Sequence, residues 1–285
     1  MMKEKNIIFF NGSFMPKEEA KISVFDRGFI FGDGIYEVVP IYEGVMVDKE
    51  EFWARFERSL EAIELRLPYE RAEFEGFLRE LIAKNGVKFG GVYMQLSRGV
   101  ASRDFAFIKG LAPTIMAFVY EEEILPSPGA ISVISTTDLR WKRRDIKSIS
   151  LLAQCLAKNK ASKAGADEAF MIENGFVTEA SSASAFIIKD ATLYTKPFSN
   201  EILPGIRRLN ILKFAKELGL KVCERAFDMS EVYDADEVFI SAASLPILAV
   251  IRADERLING GIIGSYTKAL HQRYIEKMRA EARLG

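Results

Sequence analysis

Hydrophobic and polar positions follow two different periods along this chain. Short runs of β-branched and aromatic residues, interrupted by Asn-Gly or Glu-Gly pairs, predict hairpin strands in "NIIFFNGSF" and "GIYEVVPIYEGVMV". Apolar residues that recur every three or four positions predict one helix through Phe52 and Ile63 and another that ends at Asn85. The first part of the chain is therefore expected to combine strands with helices.

The second half continues this mixture. Apolar runs in "ISVIST", "EAFMI", "ASAFII", "ATLYT", "DEVFIS" and "ILAVI" predict strands, and Asn174-Gly175 predicts a turn. The run "LLAQCLA" predicts a helix with a leucine and cysteine face, capped by Ser148 or Ser150. "LPGIRRLNILKFAKELG" predicts another helix, with Gly219 as its C-cap. The pattern predicts an α/β or α+β fold class.

A chain of 285 residues is long for one compact core, so we expect two domains. The best linker candidate is "EEEILPSPGA", residues 121–130, where a run of acids precedes two prolines and a glycine. This predicts a smaller N-terminal domain over residues 1–120 and a larger C-terminal domain over residues 131–285.

Composition narrows the classes of function. The chain is 49% hydrophobic and 28% charged with a net charge of −1, which gives no electrostatic reason to expect nucleic acid or an anionic membrane as partner. No apolar run approaches the roughly 18 residues of a membrane span, and the N-terminal run is typical of a strand rather than a signal peptide. Cys155 and Cys223 are too few for a disulfide framework or a thiolate metal site. We expect a cytoplasmic protein.

His271 is the only histidine, and it lies in a C-terminal amphipathic pattern. A Ser-His-Asp or Cys-His nucleophile would have to use this residue, and a histidine-rich metal site is impossible. The sequence shows no carboxylate cluster with metal-ligand spacing either. An enzyme built on this chain would therefore need another group to transfer protons.

Lys147 is the first candidate for that group. It follows the cations Lys142, Arg143 and Arg144 and precedes an apolar helical run, at a predicted strand-to-helix junction. Burial and like charge both lower the pKa of a lysine, which favours amine chemistry. A solvated surface lysine is the alternative interpretation.

Three further features have both a functional and an ordinary interpretation. Arg55 lies on a predicted amphipathic helix, where a solvent-facing arginine is common. Glu179 precedes small hydroxyl residues and could bind a protonated heterocycle, or it could be a solvated loop residue. Gly205 in "LPGIRR" precedes a helix whose first N–H groups form a candidate anion site, although many helices begin this way without a ligand. "FGDGIYE" lacks the strand-then-helix context of a dinucleotide motif.

Taken together and in order, these segments resemble the fold-type IV pyridoxal-phosphate-dependent aminotransferases, most closely their D-amino-acid transaminase branch. The resemblance covers nearly the whole chain, and its most specific parts are the lysine and Thr-Glu-Ala-Ser-Ser segments. The matching segments are "DRGFIFGDGIYEVV", "SRGVASRDF", "DLRWKRRDIKSISLLAQCLAK", "NGFVTEASSASAFIIKDATLYT", "ILPGIRR" and "DEVFISAAS". It implies a two-domain architecture with the site at the domain interface.

The resemblance also implies roles for individual residues. Lys147 would hold pyridoxal 5′-phosphate as a Schiff base and transfer the substrate proton, while Glu179 would bind the ring nitrogen. The phosphate would be held by Arg55 and by the backbone N–H groups of Ile206 and Arg207. The remaining residues would contact the ring or the substrate: Leu203, Ser182, Tyr36 and Arg103.

Several positions depart from the family pattern. The substrate loop usually reads Arg-x-His, whereas Phe105 follows Arg103 and Asp104 here, which predicts a more apolar pocket. Arg207 and Ala243 replace two threonines that usually contact the phosphate. We expect Arg207 to compensate with a charged contact. Ser184 replaces a usual asparagine, with no consequence that follows from the sequence.

The implied function is a homodimeric transaminase that moves an amino group from a D-amino acid to a 2-oxo acid such as 2-oxoglutarate in a ping-pong cycle. A branched-chain L-amino-acid or (R)-amine transaminase is an alternative, because Phe105 alters the substrate loop. Another is a lyase resembling aminodeoxychorismate lyase, which releases pyruvate. A non-enzymatic binding module would require the lysine, the glutamate and the anion site to be coincidental.

Overall fold

A computed structural model describes residues 3–123, 126–243 and 246–284, and it confirms the mixed α/β fold class. The strands are β1 Lys3–Phe10, β2 Ser13–Pro16, β3 Gly34–Tyr42, β4 Val45–Met46, β5 Phe89–Ser97, β6 Thr114–Glu121, β7 Gly129–Thr137, β8 Glu168–Glu173, β9 Phe176–Ala180, β10 Ser184–Lys189, β11 Thr192–Thr195, β12 Lys221–Glu224, β13 Glu237–Ser241, β14 Leu248–Ala253 and β15 Arg256–Leu257. The helices are α1 Arg27–Phe31, α2 Lys49–Ala62, α3 Arg71–Asn85, α4 Leu152–Lys163, α5 Arg208–Glu217, α6 Met229–Tyr233 and α7 Ser265–Ala282.

The chain forms two compact units. The first comprises Met1–Ile124, Ile146–Ser150 and Met278–Gly285, and the second comprises Leu125–Asp145 and Leu151–Lys277. The segment that carries Lys147 thus groups with the first unit, whereas the sequence suggested one continuous C-terminal domain. The predicted linker 121–130 includes residues 124 and 125, which lie outside the described residues, and the predicted domain limits stay a prediction.

A six-stranded antiparallel sheet organises the first unit, in the order β2-β1-β6-β5-β3-β4. Asn11 and Glu43 both adopt positive φ before a glycine, as the predicted hairpin turns require. One face of the sheet buries Phe9, Val39 and Val92 against the apolar sides of α2 and α3. Because side chains alternate along a strand, the residues between these positions point to the opposite face.

A mixed sheet of nine strands organises the second unit, in the order β12-β11-β10-β13-β14-β7-β8-β9, with β15 paired to β14. The strands predicted in this half are confirmed. Helix α5 begins at Arg208, several residues after the predicted start, so Leu203 and Gly205 lie in the loop that precedes it. A side chain at Gly205 would approach the Ser184 Oγ to 2.7 Å, which explains the glycine.

The sequence prediction for α4 was wrong in two respects. Neither Ser148 nor Ser150 caps the helix, because its N-cap is Leu151, which makes no side-chain capping hydrogen bond. The buried face also consists of alanines, Ala157 and Ala161, while the leucines and the cysteine of the predicted face are exposed or half-buried. The alanines pack against Ala169 and Met171 of β8, where small side chains permit a close approach of helix and sheet.

Among the residues that the structure describes, no helix combines the length and the apolar character that crossing a bilayer requires.

Candidate active site

Lys147 lies in the connection between β7 and α4, and its backbone is fixed to the first unit. The Lys147 carbonyl accepts a hydrogen bond from the Tyr36 N–H at 3.0 Å, and the Ile149 N–H donates to the Gly34 carbonyl at 3.1 Å. The Lys147 N–H donates to the Ser59 Oγ of α2 at 3.3 Å. These bonds extend the edge of β3, so the start of the Lys147 side chain has a defined position.

The Lys147 side chain is half-buried over an aromatic surface. Its Nζ lies 4.0 Å from the centroid of the Tyr36 ring, which stacks on Tyr93 at 5.6 Å. Tyr93 stacks in turn on Phe118, and burial together with Tyr36 raises the pKa of the Tyr93 hydroxyl. No carboxylate within the described ranges forms an ion pair with the Lys147 amine. The amine is therefore held by an aromatic ring rather than by a countercharge.

Arg55 forms a buried ion pair on the opposite face of β3. Its Nε and Nη2 donate to the two carboxylate oxygens of Glu37 at 2.7 Å each. Glu37 is completely buried and Arg55 nearly so, with 4% exposure. The bidentate pair fixes the guanidinium beside the strand that carries Tyr36. Arg55 is thus not the solvent-facing residue of an amphipathic helix.

The loop with Arg103 and Phe105 is anchored by its backbone. Arg27 donates to the carbonyls of Asp104 and Phe105, and Asp33 holds the Arg27 guanidinium at 2.7 Å. The Arg103 guanidinium lies 5.3 Å from the Phe105 ring and 5.7 Å from the Phe31 ring. Phe105, at the family's histidine position, therefore packs on the arginine and offers no hydrogen bond to a carboxylate.

The cations upstream of Lys147 are all paired with acids. Lys142 and Arg144 both bind Glu173, and Arg143 binds Asp145 at 3.0 Å. Their positive charges are therefore offset locally by these acids.

Glu179 lies buried on β9 of the second unit. Its Oε1 accepts hydrogen bonds from the Arg140 Nη1 and, at 3.0 Å, from the Leu203 N–H. Its Oε2 has no hydrogen-bond partner among the described residues. Burial raises the pKa of the Glu179 carboxyl, and Arg140 and the Leu203 N–H oppose that rise. Glu179 therefore offers one acceptor oxygen in a confined position and is not a solvated loop glutamate.

Arg140 is shared between Glu179 and a second carboxylate. Its Nε and Nη2 donate to Asp138 at 3.0 and 2.7 Å, while the Thr178 hydroxyl donates to the same Asp138 at 2.6 Å. Burial would lower the pKa of Arg140, but Glu179 and Asp138 outweigh it and raise that pKa. Burial would likewise raise the pKa of Asp138, but Arg140 and Thr178 hold it below its usual range. Arg140, Asp138 and Glu179 thus belong to one buried hydrogen-bond network.

The serines that follow Glu179 are bound to a different acid. The Ser181 hydroxyl donates to Glu168 Oε1, and the exposed Ser182 hydroxyl donates to Glu168 Oε2 at 2.8 Å. Glu168 is buried and is also paired with Lys158 at 3.1 Å. Because the Ser182 proton points to Glu168, its oxygen is left as an acceptor.

The predicted phosphate residues lie in the second unit before α5. Ile206 is buried, and within the described ranges nothing accepts a hydrogen bond from its N–H. The Arg207 side chain is buried with its guanidinium 5.0 Å from the Tyr274 ring of α7. Burial and Arg207 both lower the pKa of His271 on the same helix. Ala243 is half-buried, and the phosphate roles of these residues stay predictions.

Four carboxylates and an arginine that support these residues were not predicted from the sequence. Glu37 could have been found, because a lone acid in the apolar strand "GIYEVVPIY" requires a buried cation. Arg140 was part of a basic run whose members cannot be distinguished by spacing. The others follow only from tertiary pairing: Asp33, Asp138 and Glu168.

Comparisons with known proteins agree on the family. The model of the family "Amino-transferase class IV" matches residues 34–253. The D-alanine aminotransferase of Staphylococcus aureus (strain N315) is 38% identical over 275 residues, covering 94% of this chain and 98% of that protein. The D-alanine aminotransferase of Bacillus licheniformis is 36% identical over 263 residues, covering 92% and 93%.

Solved structures show the same fold. A T.th. branched-chain amino acid aminotransferase with pyridoxamine 5′-phosphate has a TM-score of 0.90 at 25% identity, covering 98% of this chain and 96% of its own. The Escherichia coli branched-chain amino acid aminotransferase has a TM-score of 0.90 at 24% identity, covering 95% and 94%. The fold-type IV resemblance is confirmed. The chain belongs to the class IV aminotransferases, enzymes that use pyridoxal phosphate to move amino groups between amino acids and keto acids.

Proposed function

We propose that this aminotransferase takes the amino group from a small D-amino acid, D-alanine or D-glutamate, and delivers it to 2-oxoglutarate. The observation that carries the proposal is the Lys147 amine, fixed at its backbone and placed over Tyr36 without a carboxylate partner in the described ranges. The preference for D-amino acids is supported by the D-alanine aminotransferases, which are 36–38% identical over nearly the whole chain.

The residues of the chain fit the chemistry of pyridoxal phosphate. The cofactor supplies an aldehyde that condenses with amines and a protonated ring that withdraws electrons. Lys147 offers the amine. Glu179 Oε2 is an acceptor on a largely buried side chain and has no hydrogen-bond partner in the described part of the chain, which suits a ring N–H. The Ile206 N–H, close to the start of α5, suits a phosphate oxygen.

The chain's own groups also account for the proton transfers. The Lys147 amine would be the base that removes the proton from the substrate Cα, and the resulting ammonium would be the acid that gives a proton back to complete the transfer. Within the described ranges no carboxylate binds this amine, which lies over the Tyr36 ring, so no ion pair has to be broken before it reacts. The single histidine is not needed, since His271 is buried beside Arg207.

Substrate binding is assigned to Tyr36, Arg103 and Phe105. Arg103 carries the positive charge for a substrate carboxylate, and two aromatic rings hold its guanidinium. Phe105 removes one hydrogen-bond donor from the usual Arg-x-His pair, so carboxylate binding depends more strongly on Arg103. We expect Arg103→Gln to raise KM at least tenfold for both the amino acid and the 2-oxo acid.

Borohydride reduction tests the cofactor lysine. Cofactor-loaded protein is reduced, digested and mapped, and the pyridoxyl group is expected on Lys147. Lys147→Ala should lose the adduct and the transaminase activity, while the exposed control Lys163→Ala should keep both. An adduct elsewhere, or none, would overturn the assignment of Lys147.

A paired panel of D- and L-amino acids against 2-oxoglutarate tests the substrate. We expect D-alanine and D-glutamate to exceed their L-isomers in kcat/KM. A branched-chain L-amino-acid aminotransferase is the second candidate, favoured by the solved structures of that activity and by the apolar Phe105. Faster turnover of L-leucine or L-valine would select it. Pyruvate released from aminodeoxychorismate without an acceptor would select a lyase.

We also propose a homodimer in the cytoplasm. The first unit exposes large apolar side chains on α1 and the segment before it, among them Val24, Phe25 and Phe29, which a second copy would cover. Light scattering should give twice the 32.1 kDa chain mass, and Phe29→Ser should lower the measured mass.

The cytoplasmic location is supported by the two cysteines, which are both free, as is usual for proteins of a reducing compartment. Cell fractionation tests the location.

A further inference from the structure

Glu179 is bound asymmetrically, and the asymmetry has an identifiable cause. Both Arg140 and the Leu203 N–H bind Oε1, which leaves Oε2 as the oxygen without a partner among the described residues. A carboxylate held at one oxygen by two donors cannot rotate freely about its terminal bond. The direction in which Oε2 points is thus set by Arg140 together with the Leu203 N–H, and not by Glu179 alone.

Arg140 is itself held by Asp138. Two guanidinium nitrogens and the Arg140 backbone N–H donate to Asp138 at 2.7 to 3.0 Å. Thr178 and Arg144 also contact the Asp138 carboxylate. The side chains of Asp138 and Arg140 are almost completely buried, so water does not compete for these bonds.

The division of charge matters as much as the geometry. A whole arginine charge would stabilise the Glu179 carboxylate and make it a poorer partner for a ring proton. Asp138 takes two of the three binding nitrogens of Arg140 and adds a negative charge nearby. Glu179 is therefore oriented by the arginine without losing its basicity to it.

We propose that Arg140 and Asp138 are positioning residues that present Glu179 Oε2 to the ring nitrogen of pyridoxal phosphate and keep that nitrogen protonated. The inference rests on the proposed role of Glu179. It assigns the two residues no direct contact with substrate. Thr178 supports the pair from β9 through its bond to Asp138.

The test is the ¹⁵N signal of the ring nitrogen in holoenzyme loaded with ¹⁵N-labelled cofactor. Wild type should show a protonated nitrogen at neutral pH. Arg140→Gln should shift the signal toward the unprotonated value and lower kcat about 10- to 100-fold, with KM changed only a few-fold; we take this range by analogy from residues that orient the ligands of metal ions. Arg140→Lys should fall between them, because a lysine keeps the charge but lacks the planar fork.

Asp138→Asn is a second variant, which changes the network less than Arg140→Gln does. It keeps the Arg140–Glu179 contact but removes the charge that shares Arg140, so the ring should lose its proton at a lower pH than in wild type. Among the described residues, the charged groups that act on Glu179 are Arg140 and Asp138, and Arg144 contacts Asp138 while it is also bound to Glu173. The matched control is Arg143→Gln, which removes an exposed arginine from the same segment and should leave signal and kcat unchanged.

The outcomes are separable. A wild-type ring signal and kcat in Arg140→Gln holoenzyme would overturn the proposal. If that variant does not fold, an unchanged ring titration in Asp138→Asn would overturn it instead. Borohydride mapping of wild type is done in parallel, because an absent Lys147 adduct would overturn the proposed function, whereas a normal adduct with an unchanged ring signal would overturn only the positioning role.

Discussion

Two buried arginine–carboxylate contacts serve the two units in different ways. In the first unit, Glu37 commits both oxygens to Arg55 in a bidentate pair. In the second unit, only the Oε1 atom of Glu179 binds Arg140, and the same guanidinium also donates to Asp138. The same two residue types at similar burial thus form two different contacts. In the first unit both carboxylate oxygens bind the arginine, which we call the closed pair. In the second unit one carboxylate oxygen has no partner among the described residues.

The difference indicates which acid is available for chemistry. A carboxylate whose two oxygens are both bound by one cation is satisfied, and its removal mainly exposes that cation. A carboxylate held at one oxygen keeps an acceptor for a further partner. Replacing each acid by its amide should therefore have opposite consequences in the two units.

The largest expected effect is on Glu37. Glu37→Gln removes the countercharge of a buried arginine, and breaking a buried pair in this way costs about 3–5 kcal/mol of unfolding free energy. Urea denaturation measures the loss. The control is Glu50→Gln, which breaks an exposed pair with Arg71 and should cost at most about 1 kcal/mol. A loss at Glu37 no larger than that of the control would contradict the closed pair.

A smaller loss of unfolding free energy is expected when the Thr178 hydroxyl, which binds the Arg140 partner Asp138, is removed. Thr178→Val keeps the shape of the side chain but removes the hydroxyl that donates to Asp138 at 2.6 Å. A hydrogen bond to a charged group contributes about 1.5–3 kcal/mol. Thr192→Val, whose hydroxyl donates to an exposed carbonyl, should stay within about 0.5 kcal/mol of wild type. Equal losses in the two variants would show that Asp138 does not depend on Thr178.

The pH dependence of stability should separate Glu179 from Asp138. The pKa of Glu179 is raised in the folded protein, so its contribution to stability is fully present below the unfolded value of about 4.3 and is lost as pH rises through the folded pKa. Glu179→Gln should therefore be at least as stable as wild type at neutral pH and lose any advantage below about pH 4. Arg140 keeps a countercharge in this variant, because its ion pair with Asp138 remains.

Asp138 should behave in the opposite way. Its folded pKa is lowered, so its contribution is present above the unfolded value of about 3.9 and is lost as pH falls through the folded pKa. Asp138→Asn should be less stable than wild type at neutral pH, with the gap closing in acid. Chemical denaturation of cofactor-free protein from pH 3 to 8 checks both profiles, and parallel profiles would refute the assigned directions.

The same contrast shows how far sequence reasoning reached. Hairpin turns, α2, α3 and most strands followed from periodicity and from Asn-Gly or Glu-Gly pairs, because these signals are local. Lys147 and Glu179 followed from the family resemblance. Asp138 and Arg140 could not be distinguished from a solvated basic segment, since their pairing depends on how β7, the following loop and β9 come together. The alanine face of α4 was missed because the leucines dominate its pattern.

The smallest expected change in stability comes from replacing the closed pair by apolar residues. Glu37→Leu combined with Arg55→Met removes both charges together, and such exchanges of a buried pair are often neutral or stabilising. We expect the double variant to unfold within about 1 kcal/mol of wild type, unlike Glu37→Gln. Its affinity for pyridoxal phosphate should nevertheless fall at least tenfold if Arg55 also binds the phosphate, as the resemblance implies. Wild-type affinity in a stable double variant would show that Arg55 stabilises the fold and does not bind the phosphate. The phosphate contacts would then be assigned to the residues at the start of α5. Ile206→Pro, which removes the Ile206 N–H, tests that assignment.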